Sequence, residues 1–102
     1  MGDPAKLSDV RAQSQRERLD FLQTDLALCF TFADVAATEL AQTSDLKAAE
    51  QALANAEEGY ATVSRFLLGV EDGQQSETIR SKLIELRAKL DRLQQRLHGG
   101  AA

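Results

Sequence analysis

The stretch 44-SDLKAAEQALANAEEGY-60 sets the architecture of the chain. Five of its residues are alanine, and its only long aliphatic side chains are Leu46 and Leu53. Alanine has the highest helix propensity and, after glycine, the smallest side chain to place between two helices. We therefore predict a helix that packs closely against a neighbouring helix.

Along the chain, apolar residues recur at alternating steps of three and four positions in three separate segments. Each segment forms a heptad seam, which is typical of helices packed side by side. No stretch alternates as a strand would, and the connecting segments are short, so we expect consecutive helices to be antiparallel neighbours. The sequence predicts an all-α fold, an antiparallel three-helix bundle with helices of about 19–42, 45–69 and 76–98. The seams consist of Leu19, Leu22, Leu26, Cys29, Ala33, Ala36 and Leu40; of Leu46, Ala49, Leu53, Ala56, Tyr60, Val63, Leu67 and Val70; and of Ile79, Leu83, Leu86, Leu90, Leu93 and Leu97.

The segments around these helices suggest where each helix begins. Residues 1–18 form either a helical extension or a partly ordered arm, and Asp3 before Pro4 is typical of a helix start. The bundle is expected to span residues 19–98 and to be followed by a frayed tail at 99–102. Oxygen-bearing side chains in 42-QTSD-45, and either Asp72 or Ser76, are candidate N-caps for the second and third helices.

Small residues lie on both sides of the first turn, at Ala33, Ala36 and Ala37 before it and at Ala49, Ala52 and Ala56 after it. Together with Asp45, Leu53 and Leu40, they make residues 33–61 resemble a tetratricopeptide hairpin. The resemblance implies a close contact between two helices. The pattern occurs once, whereas superhelical arrays need about three repeats to bury a core. A hairpin with one further helix is also similar in architecture to three-helix microtubule-interacting-and-transport-type modules.

The composition argues against several classes of protein. The net charge of −4 and the pI near 4.9 disfavour general binding to nucleic acid or to anionic membranes. A single cysteine excludes an internal disulfide framework, and no apolar run is long enough to span a bilayer. Since the sequence also lacks the apolar region of a secretory signal, we expect a cytosolic protein that does not enter a membrane.

Residues with reactive side chains do not form a recognisable site. Cys29 lies on the first seam and is expected in the core, and His98, the single histidine, lacks nearby metal-ligating residues. Glu57 and Glu58 are adjacent, so their side chains point about 100° apart on a helix. Tyr60 is expected to pack on its seam, and the segment 71–73 lacks the recurring oxygen ligands of a calcium loop. We therefore predict no catalysis, no metal and no cofactor.

Charge is divided unevenly along the chain. Residues 19–42 contain four acidic and no basic residues, whereas residues 74–102 have a net charge of +3. The basic flanks of the third helix either face acidic residues of the other two helices or bind an acidic partner or nucleic acid. This candidate basic face consists of Arg80, Lys82, Arg87, Lys89 and Arg96.

The first helix has a second apolar stripe, displaced by about 110° from its seam, which consists of Phe21, Leu28, Phe32 and Val35. An uncovered stripe of this kind is typical of an interface. We expect it to form a homodimer that is antiparallel through helix one. The sequence thus favours a non-catalytic protein-interaction or assembly module; the alternative is a small regulatory protein that uses the basic third helix, and an enzyme whose site is not recognisable ranks third.

The alanine seam gives a first testable prediction. Substitution of Ala49 or Ala56 by leucine should overpack the hairpin and lower the free energy of unfolding by about 1–3 kcal/mol. Urea unfolding of each variant measures this change. If both variants match the wild type within error, the first two helices do not meet at these positions.

Overall fold

A computed structural model describes residues 4–43, 45–71 and 73–99, and these residues form three helices. Helix α1 spans Pro4–Thr38 and continues into a π-helical segment, Glu39–Thr43; α2 spans Leu46–Leu67 and α3 spans Gln74–Gly99. The three helices pack against one another, and the described residues contain no strand. The predicted all-α three-helix bundle is confirmed.

Contacts between side chains define the direction of each helix. Helix α2 is antiparallel to α1, because Phe21 contacts Phe66 and Arg18 reaches Gly69. Helix α3 runs parallel to α1 and antiparallel to α2. Its Lys89 pairs with Asp34 of α1, and its Arg87 pairs with Glu57 of α2.

Polar contacts fix both ends of α2. The Asp45 side chain accepts a hydrogen bond from the Ala48 amide at 3.1 Å, which makes Asp45 the N-cap of α2. At the other end, the amides of Leu68, Gly69 and Val70 each bond to the carbonyl three residues earlier, so the helix tightens and stops at Leu67. The Arg18 guanidinium of α1 then donates to the Gly69 carbonyl at 3.0 Å.

Helix α3 begins at Gln74, two residues before Ser76, which is one of its two candidate N-caps. Ser76 is the third residue of the helix, and its buried hydroxyl accepts from the Gly73 amide at 2.9 Å and donates to the Gly73 carbonyl at 2.8 Å. Ser76 is therefore not the N-cap. Its side chain bonds back to Gly73, the residue that precedes the helix, as the third residue of a helix does in a capping box. The candidate caps Asp3, Ser44 and Asp72 lie outside the described residues.

The core follows the three seams. Alanines occupy the contact between α1 and α2, and larger aliphatic side chains fill the centre of the bundle. The buried alanines are Ala33, Ala36, Ala49, Ala52 and Ala56; the buried aliphatic residues include Leu22, Leu26, Leu53, Val63, Leu67, Ile79, Leu83, Leu86, Leu90 and Leu93. Leu46, which was assigned to the second seam, is exposed because it is the first residue of α2 and lies at the end of the bundle.

Helix α1 is longer than its neighbours. With the π-helical segment it spans roughly 60 Å at 1.5 Å per residue, and the longest dimension of the molecule is 66 Å. The Gln15 side chain accepts from the Glu71 amide at 3.3 Å, beside the turn between α2 and α3. Residues 4–14 therefore extend past that turn as a helix, and Val10 in this extension is exposed.

Gly59 of α2 lies directly against Cys29 of α1. A Cβ atom built on Gly59 would lie 2.4 Å from the Cys29 sulfur, far inside van der Waals contact. Cys29 is buried in the core, so it has little room to move. The absence of a side chain at position 59 is thus what lets α2 approach Cys29.

This contact gives a second prediction. Gly59→Ala in a helix interior would ordinarily stabilise by about 0.5–1 kcal/mol. Here we expect it to destabilise by about 1–3 kcal/mol, because the new methyl group overlaps the Cys29 sulfur. In a Cys29→Ala background the overlap is gone, and Gly59→Ala should become stabilising. A double-mutant cycle from urea unfolding tests this reversal, and additive effects of the two substitutions would contradict it.

Candidate interaction surface

The second apolar stripe of α1 lies at the surface of the bundle. Phe21, Leu28 and Val35 are seven residues apart, so they share one face of the helix, and their exposed fractions are 56%, 50% and 43%. Phe32 is partly buried at the edge of this face. The structure thus brings the four residues of the stripe together on one side of α1.

Helix α3 does not cover this stripe, because it packs on another side of α1. Phe30 and Leu26 of α1 meet Ile79 of α3 there, and Phe30 packs against the core. Leu28 and Phe32 of the stripe lie on the side of α1 that faces α2.

An open groove of about 360 Å³ runs between the stripe and α2. Leu28 and Phe32 line it from α1, and polar side chains line it from α2. Cys29 and Gly59, which lie directly against each other, form its floor. The lining consists of Asp25, Leu28, Cys29, Phe32, Asn55, Glu58, Gly59 and Thr62.

A pair of aromatic rings lies at one end of the stripe. Phe21 and Phe66 meet edge to face, with ring centroids 6.5 Å apart and an interplanar angle of 84°. Both rings are about half exposed, so they also present apolar surface to solvent. Phe66 was not among the predicted interface residues, because α2 has no second apolar stripe. Counting equal distances from the first turn would have placed it opposite Phe21.

The groove is acidic. Asp25 and Glu58 are among its eight lining residues, and none of the eight is a lysine or arginine. Helix α1 carries no basic residue from position 19 to its end. The surface therefore combines an apolar stripe with negative charge along the groove.

Cys29 has the properties of a core residue. Burial, together with the nearby charge of Asp25, raises the pKa of its thiol to about 11. The thiol is therefore protonated at neutral pH, in agreement with the predicted core position.

The predicted basic face of α3 is partly engaged within the chain. Arg87 forms two hydrogen bonds to the Glu57 carboxylate, at 2.8 and 2.6 Å, and lies 4.9 Å from the centre of the Tyr60 ring. Lys89 pairs with Asp34 of α1, and Arg80 pairs with Glu77 of its own helix at 2.9 Å.

The two remaining residues of this face, Lys82 and Arg96, are exposed. Of the two arrangements weighed from the sequence, Arg87 and Lys89 adopt the one in which bases of α3 face acids of the other helices.

Glu57 is the centre of the polar network between α2 and α3. Hydrogen bonds from Arg87 lower the pKa of the Glu57 carboxyl against the opposing effect of burial, and Gln94 donates a further bond at 3.4 Å. The same contact raises the pKa of Arg87, whose guanidinium also bonds to Asp91 at 3.0 Å. The network aligns α2 with α3 through a bidentate pair, which favours one geometry over others.

The described residues contain no group of three or more His, Cys, Asp or Glu residues close enough to hold a metal ion. None of the described helices combines the length and the apolar character needed to cross a membrane. His98 lies exposed near the end of α3.

The Glu57–Arg87 pair gives a third prediction. Because folding lowers the pKa of Glu57, its contribution to stability is complete above the unfolded value near 4.5 and is lost as the pH falls through the folded value. Glu57→Gln should therefore cost about 1 kcal/mol at pH 7, and less as the solution is acidified. Urea unfolding from pH 7 to pH 3 measures the difference. Glu58→Gln, which removes a carboxylate from the groove side of α2, is the matched control, and a Glu57→Gln deficit that is constant with pH would contradict the assignment.

Comparison of the chain with protein-family models, with curated proteins and with solved structures found no match. The likeness of residues 33–61 to a tetratricopeptide hairpin therefore has no support from a family match, whereas the three-helix architecture follows from the packing described above.

Proposed function

We propose that this protein is a non-catalytic protein-interaction or assembly module and that its binding surface is the stripe and groove on the α1–α2 side. The single observation that supports this most strongly is the exposure of Phe21, Leu28 and Val35 on one face of α1. Isolated apolar residues at a surface are common, but a regular row of them beside a groove is typical of an interface.

The shape of the groove favours a helix as the bound element. It lies between two antiparallel helices, so a third helix placed in it would pack against both, as in helix-in-groove recognition. Complete burial of one large apolar side chain stabilises by about 1.5–3 kcal/mol. Since the side chains of the stripe are already about half buried, each adds about half of that amount on binding.

The close contact of α1 and α2 also supports the tetratricopeptide-like character of the hairpin, which is part of this proposal. The buried Ala33 and Ala36 of α1 and Ala49 and Ala56 of α2 are small residues of the kind that brings two such helices together. A cytosolic location stays a prediction.

A homodimer through α1 is the other way to cover the stripe, and it stays a prediction. A twofold axis at Leu28 would place Phe21 of one copy against Val35 of the second copy. The same symmetry would bring the acidic grooves of the two copies to the same side of the dimer, with the carboxylates of Asp25 and Glu58 from both copies around one space. Because like charges in contact are unfavourable, we rank a different partner above a second copy.

The regulatory alternative, in which basic α3 binds an acidic partner or nucleic acid, has less support. Arg87 and Lys89 are the central residues of the proposed basic face, and both pair with carboxylates of the same chain. An acidic ligand would have to compete with these pairs.

Photocrosslinking in cells tests the interaction function. A photoreactive amino acid is introduced at Leu28 in the groove or at Ile84, an exposed apolar position on α3, which serves as the control. We expect a discrete adduct with another protein from position 28 and none from position 84. The adduct is detected by a mass shift on a denaturing gel and identified by mass spectrometry.

Each result of this experiment has a separate meaning. An adduct of twice the chain mass from position 28 alone would identify the homodimer. An adduct from position 84 alone would favour the α3 surface. No adduct from either position would contradict the interaction module.

A further inference from the structure

We infer that the α1–α2 groove binds a basic amphipathic helix of a partner protein, with apolar residues on the stripe and lysine or arginine along the acidic lining. This inference rests on the proposed interaction function and specifies the chemistry of the partner.

The spacing of the stripe defines the apolar side of such a helix. Phe21, Leu28 and Val35 recur every seven residues over about 21 Å of α1. A packed partner helix meets such a row with its own apolar residues at alternating steps of three and four. Four turns of helix in the partner would be enough to cover the row.

The apolar surface is longer than the groove. The Phe21–Phe66 pair extends it toward the turn between α2 and α3, and Val35 extends it toward the first turn. A bound helix could therefore contact apolar side chains before, within and beyond the groove.

The charge of the groove defines the flanks of the partner. Asp25 belongs to α1 and Glu58 to α2, so negative charge is present on both walls beside Leu28 and Phe32. Residues that flank the apolar row of a packed helix lie against such walls and interact electrostatically with the charged side chains there. Lysine and arginine at those positions meet opposite charge, whereas glutamate and aspartate meet like charge.

Two other occupants fit this surface less well. A second copy would offer the stripe of its own α1, which carries no basic residue from position 19 onward. An anionic membrane surface would be repelled by the same carboxylates and by the net charge of −4. Charge complementarity therefore favours a basic partner.

A selection experiment with displayed peptides tests the inference. The library consists of amphipathic helices with fixed leucines along one face, and each flanking position varies among lysine, glutamate and glutamine. Selection on the wild-type protein should enrich lysine at the flanks. An enriched peptide should bind about tenfold more tightly than its counterpart with glutamate at those positions, and added salt should reduce the ratio.

Three variants locate the binding site. Leu28→Glu should abolish enrichment, because it places a charge in the middle of the stripe. Asp25→Lys combined with Glu58→Lys should reverse the preference from lysine to glutamate. Asp20→Lys combined with Glu50→Lys is the matched control, since it changes exposed acidic residues of the same two helices by the same net charge outside the groove lining. This control should retain the preference for lysine, and circular dichroism verifies that each variant is folded.

The outcomes separate this inference from the broader function. Peptides enriched without charge preference and lost in Leu28→Glu would overturn the basic partner but leave the interaction module in place. If both double variants reverse the preference from lysine to glutamate equally, the inference is also overturned, because the net charge of the protein and not the groove would then determine which peptides bind. If the wild type sediments as a dimer and the Leu28→Glu variant as a monomer, the groove belongs to a second copy and the inference is overturned. The absence of enriched peptides on the wild type and on every variant would overturn it as well.

Discussion

The close approach of α1 and α2 is the constraint on which the rest of the structure depends. Alanines on both helices and Gly59 opposite Cys29 allow the two backbones to come together. Helices that pack this closely leave little room for large side chains between them. Longer apolar residues of α1 consequently lie on its flanks, with Phe30 toward α3 and Phe32 toward the outer side of α2. The groove and its apolar wall are therefore consequences of the small-residue contact.

Charge then determines how α3 is placed on this hairpin. The bidentate Arg87–Glu57 pair attaches α3 to α2, and Lys89–Asp34 attaches it to α1. Pairs that are partly exposed add only about 0–1 kcal/mol each, so they select the geometry more than they stabilise it. The aliphatic seam of α3 provides most of the stabilisation, since five of its side chains are buried: Ile79, Leu83, Leu86, Leu90 and Leu93. The acidic groove, with Asp25 of α1 and Glu58 of α2, lies on the side of α1 that faces away from α3.

The periodicity of apolar residues predicted most of this fold, and particular residues show which features it did not predict. The three-four spacing of apolar residues identified the helices and nearly all of the core, because a helix surface repeats at that interval. Leu46 was misassigned, since the spacing does not tell where a helix leaves the bundle. Gly59 was missed because a seam defined by apolar residues has no place for a residue without a side chain. The exposed row Phe21, Leu28 and Val35 was visible in the sequence, but the acidic groove was not, because Glu58 comes from another helix and its position depends on the register of the hairpin.

In the proposed function, the apolar row would contribute affinity and the acidic groove would select the partner. Partial burial of four or five large side chains provides about 3–7 kcal/mol at half of 1.5–3 kcal/mol each, while association itself costs roughly 4–15 kcal/mol. The stripe alone is therefore too small for tight binding, and further contacts from the partner are required. One or two charge contacts change the dissociation constant by about tenfold or less. For a weak complex, this suffices to discriminate between helices with the same apolar face. Under the proposed function, binding would be reversible, because the apolar row limits the affinity, and Asp25 and Glu58 would select among partner helices.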